Sequence, residues 1–465
     1  MRLSLNITDR LSKLIALIFI TAFIGCEENS ENSSTYFGGK IMNPKSNHVV
    51  LYENEVVVDT FYLDKNNTFL GEISSLKEGI YYFKHGNEHQ YIYLEPKDSV
   101  LIRLNTWNFD ETLSFSGKGA ERNNLLIDSF LESEKDEKDF YAYYDLPPNK
   151  FREKVDSTEK IKLDRYNDFV SNHPQETKKY NSVLKMALTY PLYTMVENYP
   201  MAHSAKVNDG KHDEINKDFY KHRDEIILDK DSIMYFYAYR DYVVSNLYNK
   251  VNTSGLDISS DEFTVDLLKT IASEMKSKDS RNAMLRQTVI THFYRKSSCD
   301  VNNDAFDTYL NLSSNQEDKK LVTNLLRDVK RIQKGVKIED FNITDYNKTK
   351  RSIKSVIKNK NTVLYFWNSE YMSKDYIADR IKYLSKKHPT VKFVGVKILG
   401  DHTDRIYKID IKSQYYLEAD SKANSFLTSK MPRTILINKK GYVANAYASL
   451  TSRNIYKQIE SLTQK

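Results

Sequence analysis

Cysteine is scarce in this sequence: the 465 residues contain only Cys26 and Cys299. The two stand far apart, and neither belongs to a Cys-x-x-Cys spacing. Two cysteines cannot supply the disulfide framework of a small secreted domain, so we expect hydrophobic cores to hold the fold together. We interpret Cys299, within the run Ser-Ser-Cys-Asp, as a free thiol without a catalytic role.

Net charge is also small, and the charged residues are finely mixed. The chain has 69 Lys and Arg against 63 Asp and Glu, which gives +6, and no basic cluster stands out. Nucleic-acid binders concentrate basic residues on one face, so we expect no nucleic-acid partner. The length of 465 residues predicts two or three domains, and a hydrophobic content of 40%, with 28% charged residues and a mean hydropathy of −0.61, predicts that they are soluble and have real cores.

The motifs of metal, nucleotide and nucleophile chemistry are missing. No His-Glu-x-x-His occurs, and Gly117-Lys118-Gly119 lacks the spacing of a P-loop, so we interpret it as a turn before a helix. His85, Glu88 and His89 lie on a polar turn without a fourth ligand nearby. We therefore predict no metal site and no cofactor.

The longest apolar run lies near the N-terminus. Basic residues precede the run Leu14–Ile24, and Gly25 and Cys26 follow it. This order predicts a signal peptide over residues 1–25. Phe23–Cys26 resembles a bacterial lipobox, which implies that Cys26 is lipidated and anchors the chain to a membrane. A cleaved signal with an incidental cysteine is the alternative.

The next segment, residues 26–35, is polar and predicts a flexible tether. Its acidic pair, Glu27-Glu28, resembles the surface-export signal of Bacteroidota lipoproteins, although ordinary linker charge accounts for it nearly as well. We expect a protein of the cell envelope, lipid-anchored at the outer membrane on its periplasmic or outer face.

Residues 36–119 predict an N-terminal antiparallel β-sandwich-like domain, because short apolar runs alternate with turn signals. The predicted strands are Val49–Tyr52, Glu55–Leu63, Ile80–Phe83, Gln90–Leu94 and Ser99–Leu104.

Residues 120–334 predict a central α-helical region, because apolar residues recur at spacings of three and four. Prolines, among them Pro191 and Pro200, mark the predicted connections. The aromatic segment Met234–Tyr242 predicts a helix packed on both faces, with a binding surface as the alternative. The predicted helices include Val155–Phe169, Val183–Met195, Ile233–Val251, Asp261–Met275, Ala283–Tyr294 and Asp318–Ile332.

Residues 335–465 predict an α/β domain with the order strand, helix, strand, helix, hairpin, helix. This order, with the Phe-Trp pair before a loop and a helix start, resembles the TlpA/ResA-like thioredoxin-fold oxidoreductases. The preceding β-domain and the lipobox resemble Bacteroidota lipoproteins of that type. The predicted elements are the strands Thr362–Trp367, Val391–Ile398 and Met431–Ile437, the helices near Ile377–Leu384, Ala419–Ser429 and Ser452–Leu462, and the hairpin partner Tyr442–Ala448.

The resemblance also locates an active-site loop without its cysteines. The two Cys-x-x-Cys positions fall on Tyr371 and Lys374, and Met431-Pro432 falls where the family keeps a cis-proline. Tyr cannot form a disulfide, and Lys374 places a cation at the positive end of a helix, where a thiolate site needs the opposite. We therefore predict a redox-inactive domain and a cis peptide bond at Pro432.

Two classes of function remain after this loss. The first is a binding or scaffold protein that holds a peptide or protein partner, either in its helical or β-domains or in a groove. The groove residues are Trp367, Tyr371, Lys374, Met431 and Pro432. The second is an auxiliary of a thiol-disulfide oxidoreductase system that acts without its own thiols. Enzyme activity of a kind that the sequence does not reveal is the third and least favoured reading.

Overall fold

The computed structural model describes residues 34–207, 215–228, 230–252, 255–398, 403 and 405–463. The predicted signal peptide, Cys26 and nearly all of the tether lie outside these residues. The chain forms two compact units, Met1–Asp139 with Ser157–Leu192 and Phe140–Asp156 with Tyr193–Lys465. The domain boundaries at residues 36, 120 and 335 stay predictions.

In the first unit, two four-stranded sheets have the strand orders β4-β1-β7-β8 and β3-β2-β5-β6. The parallel pairing of β1 with β7 corrects the prediction of a purely antiparallel domain. Because β1 precedes the first predicted strand, no pattern indicated this pair. The strands are β1 (Thr35–Met42), β2 (His48–Glu53), β3 (Val56–Tyr62), β4 (Thr68–Ile73), β5 (Gly79–His85), β6 (Glu88–Leu94), β7 (Ser99–Asn105) and β8 (Ser114–Lys118).

Phe37, on β1, lies at the centre of this unit's core and is fully buried. Its ring centroid lies 5.6 Å from that of Phe61, 5.3 Å from Phe69 and 5.7 Å from Phe83. These rings come from strands of both sheets, so aromatic packing joins the two layers.

Three long helices follow the sheets. They are α2 (Ala120–Tyr143), α3 (Pro148–Asn172) and α4 (Lys178–Val207), after the short helix α1 (Phe109–Thr112). Helix α4 continues through Pro191 and Pro200, which we predicted to mark connections between helices. Most of the apolar side chains of α4 are buried. The free energy of this packing compensates for the backbone hydrogen bond that each proline removes from the helix.

In the second unit, helices precede a large sheet. In the aromatic segment 234–242, Phe236, Tyr239 and Tyr242 are buried, whereas Arg240 and Asp241 are exposed, so the helix that begins at Tyr237 packs on one face rather than on both. The helices are α5 (Tyr237–Asn252), α6 (Asp261–Glu274), α7 (Lys278–Lys296), α8 (Asp304–Leu312) and α9 (Gln316–Arg331).

A buried carboxylate joins several of these segments. Glu197 is fully buried and accepts hydrogen bonds from Arg223 Nε (2.8 Å), His222 Nε2 (3.0 Å), Asn246 Nδ2 (3.0 Å) and Asn249 Nδ2 (2.7 Å). Burial opposes the charge, but the hydrogen bonds from Arg223 and His222 outweigh it and lower the pKa of Glu197 to about 2. The carboxylate therefore stays ionised in the folded protein.

The large sheet has seven strands in the order β10-β9-β13-β12-β11-β14-β15. Its central strand β11 pairs in parallel with β12 and antiparallel with β14, as the thioredoxin topology predicts. The strands are β9 (Asn342–Asp345), β10 (Lys350–Ser352), β11 (Thr362–Trp367), β12 (Lys392–Lys397), β13 (Gln414–Tyr416), β14 (Arg433–Ile437) and β15 (Val443–Ala448), and the helices are α10 (Ile353–Ile357), α11 (Lys374–Lys387) and α12 (Ile455–Thr463).

One predicted element of this domain is wrong. In place of a helix over Ala419–Ser429, the chain has a short 3₁₀ segment, Lys422–Phe426. Asn424 Nδ2 donates to the carbonyl oxygen of Glu418 at 3.0 Å. Side-chain hydrogen bonds of this kind offer the backbone an alternative to a helix, and here they limit the segment to one turn.

Gly395 fixes the contact between the two central strands. It lies directly opposite Tyr365 in the pairing of β11 with β12. A Cβ atom at this position would lie 2.5 Å from the Tyr365 hydroxyl, so a side chain here collides with a fully buried ring. The Tyr365 phenol therefore occupies the space that Gly395 leaves by having no side chain.

Candidate functional site

The candidate site lies at the carboxyl end of β11, where the chain enters a short loop. The buried Asn368 accepts a hydrogen bond from the backbone N–H of Glu370 at 3.1 Å and fixes the loop's start. Ser373 then caps α11 by accepting from the backbone N–H of Tyr376 at 3.2 Å. Tyr371, between these two anchors, is 47% exposed.

The structure brings three of the five predicted groove residues to one cavity. Tyr371, Met431 and Pro432 line a cavity of about 790 Å³. Trp367 and Lys374 do not line it. Trp367 is 1% exposed and packs in the core that includes Val363 and Tyr365, because alternate residues of β11 face opposite sides of the sheet.

Helix α7 forms a wall of the cavity that the sequence did not predict. Residues on three successive turns of this helix contribute, and the segment around the start of α12 closes another side. The lining residues are Gln287, Ile290, Thr291, Tyr294, Arg295, Phe366, Tyr371, Met372, Met431, Pro432, Arg433, Thr434 and Ala448–Asn454. Three residues of the predicted groove are therefore part of a larger cavity that α7 and the segment before α12 also line.

The peptide bond before Pro432 is not in the cis conformation that we predicted. No cis peptide bond occurs among the described residues, so the peptide between Met431 and Pro432 is trans. The trans form is the lower in energy for X-Pro bonds in general. The preceding Lys430 takes a left-handed conformation with φ 57°, which turns the chain into β14 without a cis bond.

Backbone groups on both sides of this bond are already in use. The N–H of Met431 donates to Ser429 Oγ at 3.4 Å, and the carbonyl oxygen of Pro432 accepts from the Tyr294 hydroxyl at 2.9 Å. The family resemblance implies that the residue before the proline pairs with an extended peptide. Of the two bonds, only that of the Met431 N–H competes with such pairing, because the second one uses the carbonyl oxygen of Pro432 itself.

The charged residues that line the cavity are all arginines: Arg295, Arg433 and Arg453. No carboxylate is among the lining residues. Arg433 is 2% exposed, and burial lowers the pKa of its guanidinium to about 10, so it stays charged at neutral pH. The cavity wall is therefore positively charged.

Arg433 is held by backbone oxygens and aromatic rings. Its Nε donates to the carbonyl oxygen of Ala446 at 2.8 Å, and its Nη1 donates to those of Asp328 (2.9 Å) and Phe426 (2.8 Å). The guanidinium carbon lies 4.7 Å from the ring centroid of Tyr447. Nη2 is buried and has no hydrogen-bond partner in the described part of the chain.

The carboxylate of Asp328, which lies near Arg433, forms its hydrogen bonds with other residues. It accepts from the backbone N–H and hydroxyl of Thr428 (2.8 and 2.7 Å) and of Ser429 (2.9 and 2.7 Å). Among the described residues, no carboxylate forms an ion pair with Arg433, because none lies within 4.0 Å of its side-chain nitrogens. Asp328 thus shapes the turn before Met431 while Arg433 keeps its charge.

The structure shows no thiol in the cavity wall. Cys299 is a half-buried free thiol that packs against the core containing Phe366, and it does not line the cavity. Tyr371 occupies the position that the family resemblance assigns to the nucleophilic cysteine. The arrangement can bind a molecule, but it holds no group for thiol-disulfide exchange.

Two other clusters with catalytic residue types are structural. His292 lies between Thr264 Oγ1 and Asp261 Oδ1, at 2.7 Å from each, but Thr264 is 2% exposed and inaccessible to a substrate. His85 is 1% exposed, and its ring is bonded to the backbone of His48 and Lys45. In the searched part of the chain, no group of His, Cys, Asp and Glu could hold a metal ion.

One feature of the sequence could have indicated this site but did not enter the prediction. Arg433 opens an otherwise apolar strand at a position that faces the core, where a charge needs a special environment. The contribution of α7 had no sequence signal, because it depends on how distant elements pack.

The chain forms two compact units, and the large sheet of the second has the strand pairing that the thioredoxin topology predicts. No protein-family model matches the chain, and no curated protein matches it either. No helix among the described residues is both long and apolar enough to span a membrane.

Solved structures resemble a part of the chain. A candidate thiol-disulfide oxidoreductase from Bacteroides vulgatus is 22% identical, with 28% of this chain and 98% of that chain covered and a TM-score of 0.23. A thiol:disulfide interchange protein from Bacteroides sp. is 20% identical (29% and 92% covered, TM-score 0.23). The thioredoxin domain of a thiol-disulfide oxidoreductase from Bacteroides vulgatus is also 20% identical (28% and 97%, TM-score 0.22).

Proposed function

We propose that this protein is a binding protein of the cell envelope whose thioredoxin-like region holds a short peptide segment of a partner and catalyses no thiol exchange. The cavity beside Tyr371 carries this proposal. Its volume of about 790 Å³ falls within the range of pockets that enclose small ligands. Seven apolar residues line it together with two tyrosines and ten polar or charged residues.

The residues at the two cysteine positions favour binding over redox chemistry. Tyr371 offers an amphipathic ring, half exposed at the cavity, that can pack against a ligand and donate a hydrogen bond. Lys374 begins α11, so the helix end that activates a thiolate in an oxidoreductase carries a cation here. An auxiliary role in a thiol-disulfide oxidoreductase system remains the second proposal, since such a protein can hold a substrate segment without reacting with it.

The envelope location rests on the N-terminal sequence. Lipidation of Cys26 after removal of residues 1–25 would anchor the protein to a membrane, and residues 26–35 would separate the anchor from the first strand. Metabolic labelling with a fatty-acid analogue tests this part. Label in the wild type and its absence from Cys26→Ser supports the anchor, and label in both variants overturns it.

The binding proposal is tested with fluorescein-labelled tetrapeptide pools and fluorescence polarisation. Tyr371→Ala removes the ring at the cavity, and Tyr383→Ala is the matched control because Tyr383 is exposed to 51% on α11 and does not line the cavity. We expect saturable binding that Tyr371→Ala weakens at least about tenfold and Tyr383→Ala leaves unchanged. Absence of binding to every pool, or equal loss in both variants, overturns the proposal.

A further inference from the structure

The charge of the cavity points to the chemistry of its ligand. The three charged lining residues are arginines, Arg295, Arg433 and Arg453, and none of the lining residues is acidic. A concave site lined by one sign of charge attracts ligands of the opposite sign, more strongly where low-dielectric walls reduce screening. This inference rests on the proposed binding function and names the class of ligand.

Arg433 supplies a charge that is fixed in place. Backbone oxygens hold Nε and Nη1, and no carboxylate forms an ion pair with it in the described part of the chain, although the nearby Asp328 carboxylate favours its charged form. Because the guanidinium is buried, it acts on the cavity through the protein interior rather than by touching the ligand. A buried cation without a paired carboxylate is costly, and an anion nearby would reduce that cost.

The other two arginines are placed to contact a ligand directly. Arg453 is exposed just before α12 and makes no side-chain hydrogen bond or ion pair among the described residues. Arg295, near the end of α7, donates from Nη1 to the carbonyl oxygen of Ile258 at 2.8 Å. A guanidinium carries five N–H donors, so Arg295 keeps donors for a ligand oxygen.

We infer that the cavity binds a peptide segment that carries a carboxylate, with its acid group held by Arg453 and Arg295 in the field of Arg433. Arginine suits this role because its planar fork can donate two parallel hydrogen bonds to one carboxylate. The apolar part of the lining, which includes Ile290, Met372 and Leu450, would receive the rest of the segment.

The experiment uses the same labelled tetrapeptide pools in matched pairs. One pool carries glutamate where its partner carries glutamine, and one has a free C-terminal carboxylate where its partner has an amide. Each is titrated against the wild type, Arg453→Gln, Arg295→Gln and the control Arg331→Gln. Arg331 is exposed and does not line the cavity, so its substitution removes the same charge elsewhere. Circular dichroism melting checks that each variant folds.

We expect the acidic pools to bind at least about tenfold more tightly than their neutral partners. Arg453→Gln should abolish that preference, Arg331→Gln should keep it, and higher salt should weaken it. Equal binding of acidic and neutral pools overturns this inference and leaves the proposed binding function intact. No binding of any pool overturns both. Competition by acetate or phosphate as effective as by peptide acids would show that a free anion is the ligand and would also overturn the inference.

Discussion

The hydroxyl of Tyr294 lies 2.9 Å from the carbonyl oxygen of Pro432 and donates a hydrogen bond to it. The two residues are 138 positions apart, and the bond joins helix α7 to the start of strand β14. It lies in the wall of the cavity, since both residues line it. A helix that precedes the large sheet in the chain therefore helps to define the site.

Tyr294→Phe should lower the free energy of unfolding by about 1 to 2 kcal/mol, because it leaves the Pro432 carbonyl without its donor. Urea unfolding followed by circular dichroism measures the change. Tyr376→Phe is the control, since Tyr376 is 43% exposed and should change stability by less than about 0.5 kcal/mol. Equal stability of Tyr294→Phe and the wild type would contradict the contact.

Glu197→Ala should destabilise the protein by about 3 to 5 kcal/mol, because the partners of this buried carboxylate are left without an acceptor. Differential scanning calorimetry measures the shift in Tm. Glu274→Ala is a matched control: Glu274 pairs with Lys250 at 2.7 Å at a partly exposed position, where we expect a loss below about 1 kcal/mol. Similar losses in the two variants would show that the buried network contributes little.

The same carboxylate predicts a pH dependence. Its pKa is lowered from 4.5 to about 2 in the folded chain, so its ionised form stabilises the fold at pH values above about 4.5. That stabilisation, about 3 kcal/mol, is lost progressively as the pH falls from 4.5 toward 2. Urea unfolding should therefore show that the difference in free energy of unfolding between the wild type and Glu197→Gln becomes smaller as the pH falls from 6 to 3. A difference in free energy of unfolding that stays constant over this pH range would refute the lowered pKa of Glu197.

Gly395→Ala should cost about 1 to 3 kcal/mol, because the new methyl group meets the buried Tyr365 phenol. The double variant Gly395→Ala with Tyr365→Phe should recover part of the loss, since it removes the nearest atom. Chemical unfolding of the three proteins measures both effects. No recovery in the double variant would mean that the ring atoms Cζ and Cε2, which would lie 2.6 and 2.8 Å from the new Cβ atom, cause the loss rather than the hydroxyl.

The purified protein should not catalyse insulin reduction by dithiothreitol above the uncatalysed rate, because the chain has no Cys-x-x-Cys spacing and no cysteine lines the cavity. Cys299→Ser should behave like the wild type. Restoring both cysteines, as Tyr371→Cys with Lys374→Cys, tests whether the helix start can still activate a thiolate. Catalysis by the wild type itself would show that the redox-inactive assignment is wrong.

Much of the fold could be predicted because local patterns determine it. The strand Thr362–Trp367 and the helix around Ile377–Leu384 follow from apolar runs with clear period and clear ends. The segment Ala419–Ser429 shows the limit, because its side chains bond to nearby backbone and to Asp328, a residue distant in sequence. Propensity cannot report such bonds.

The candidate site was predicted only in part, for a similar reason. Tyr371, Met431 and Pro432 come from the loop and strand that the sequence locates, and they line the cavity. Trp367 was misplaced because the prediction did not assign the face of β11 on which it lies. The contribution of Tyr294 depends on tertiary packing, which no local pattern encodes.

The packing of α7 also bears on which part of the chain can be studied alone. A fragment that begins at Gly335 would lack Phe293, whose ring centroid lies 4.6 Å from that of the fully buried Tyr447. Water would then reach an aromatic surface that the intact protein covers. Ligands captured by such a fragment would report on that artificial surface, so screening has to use the chain with its helices attached.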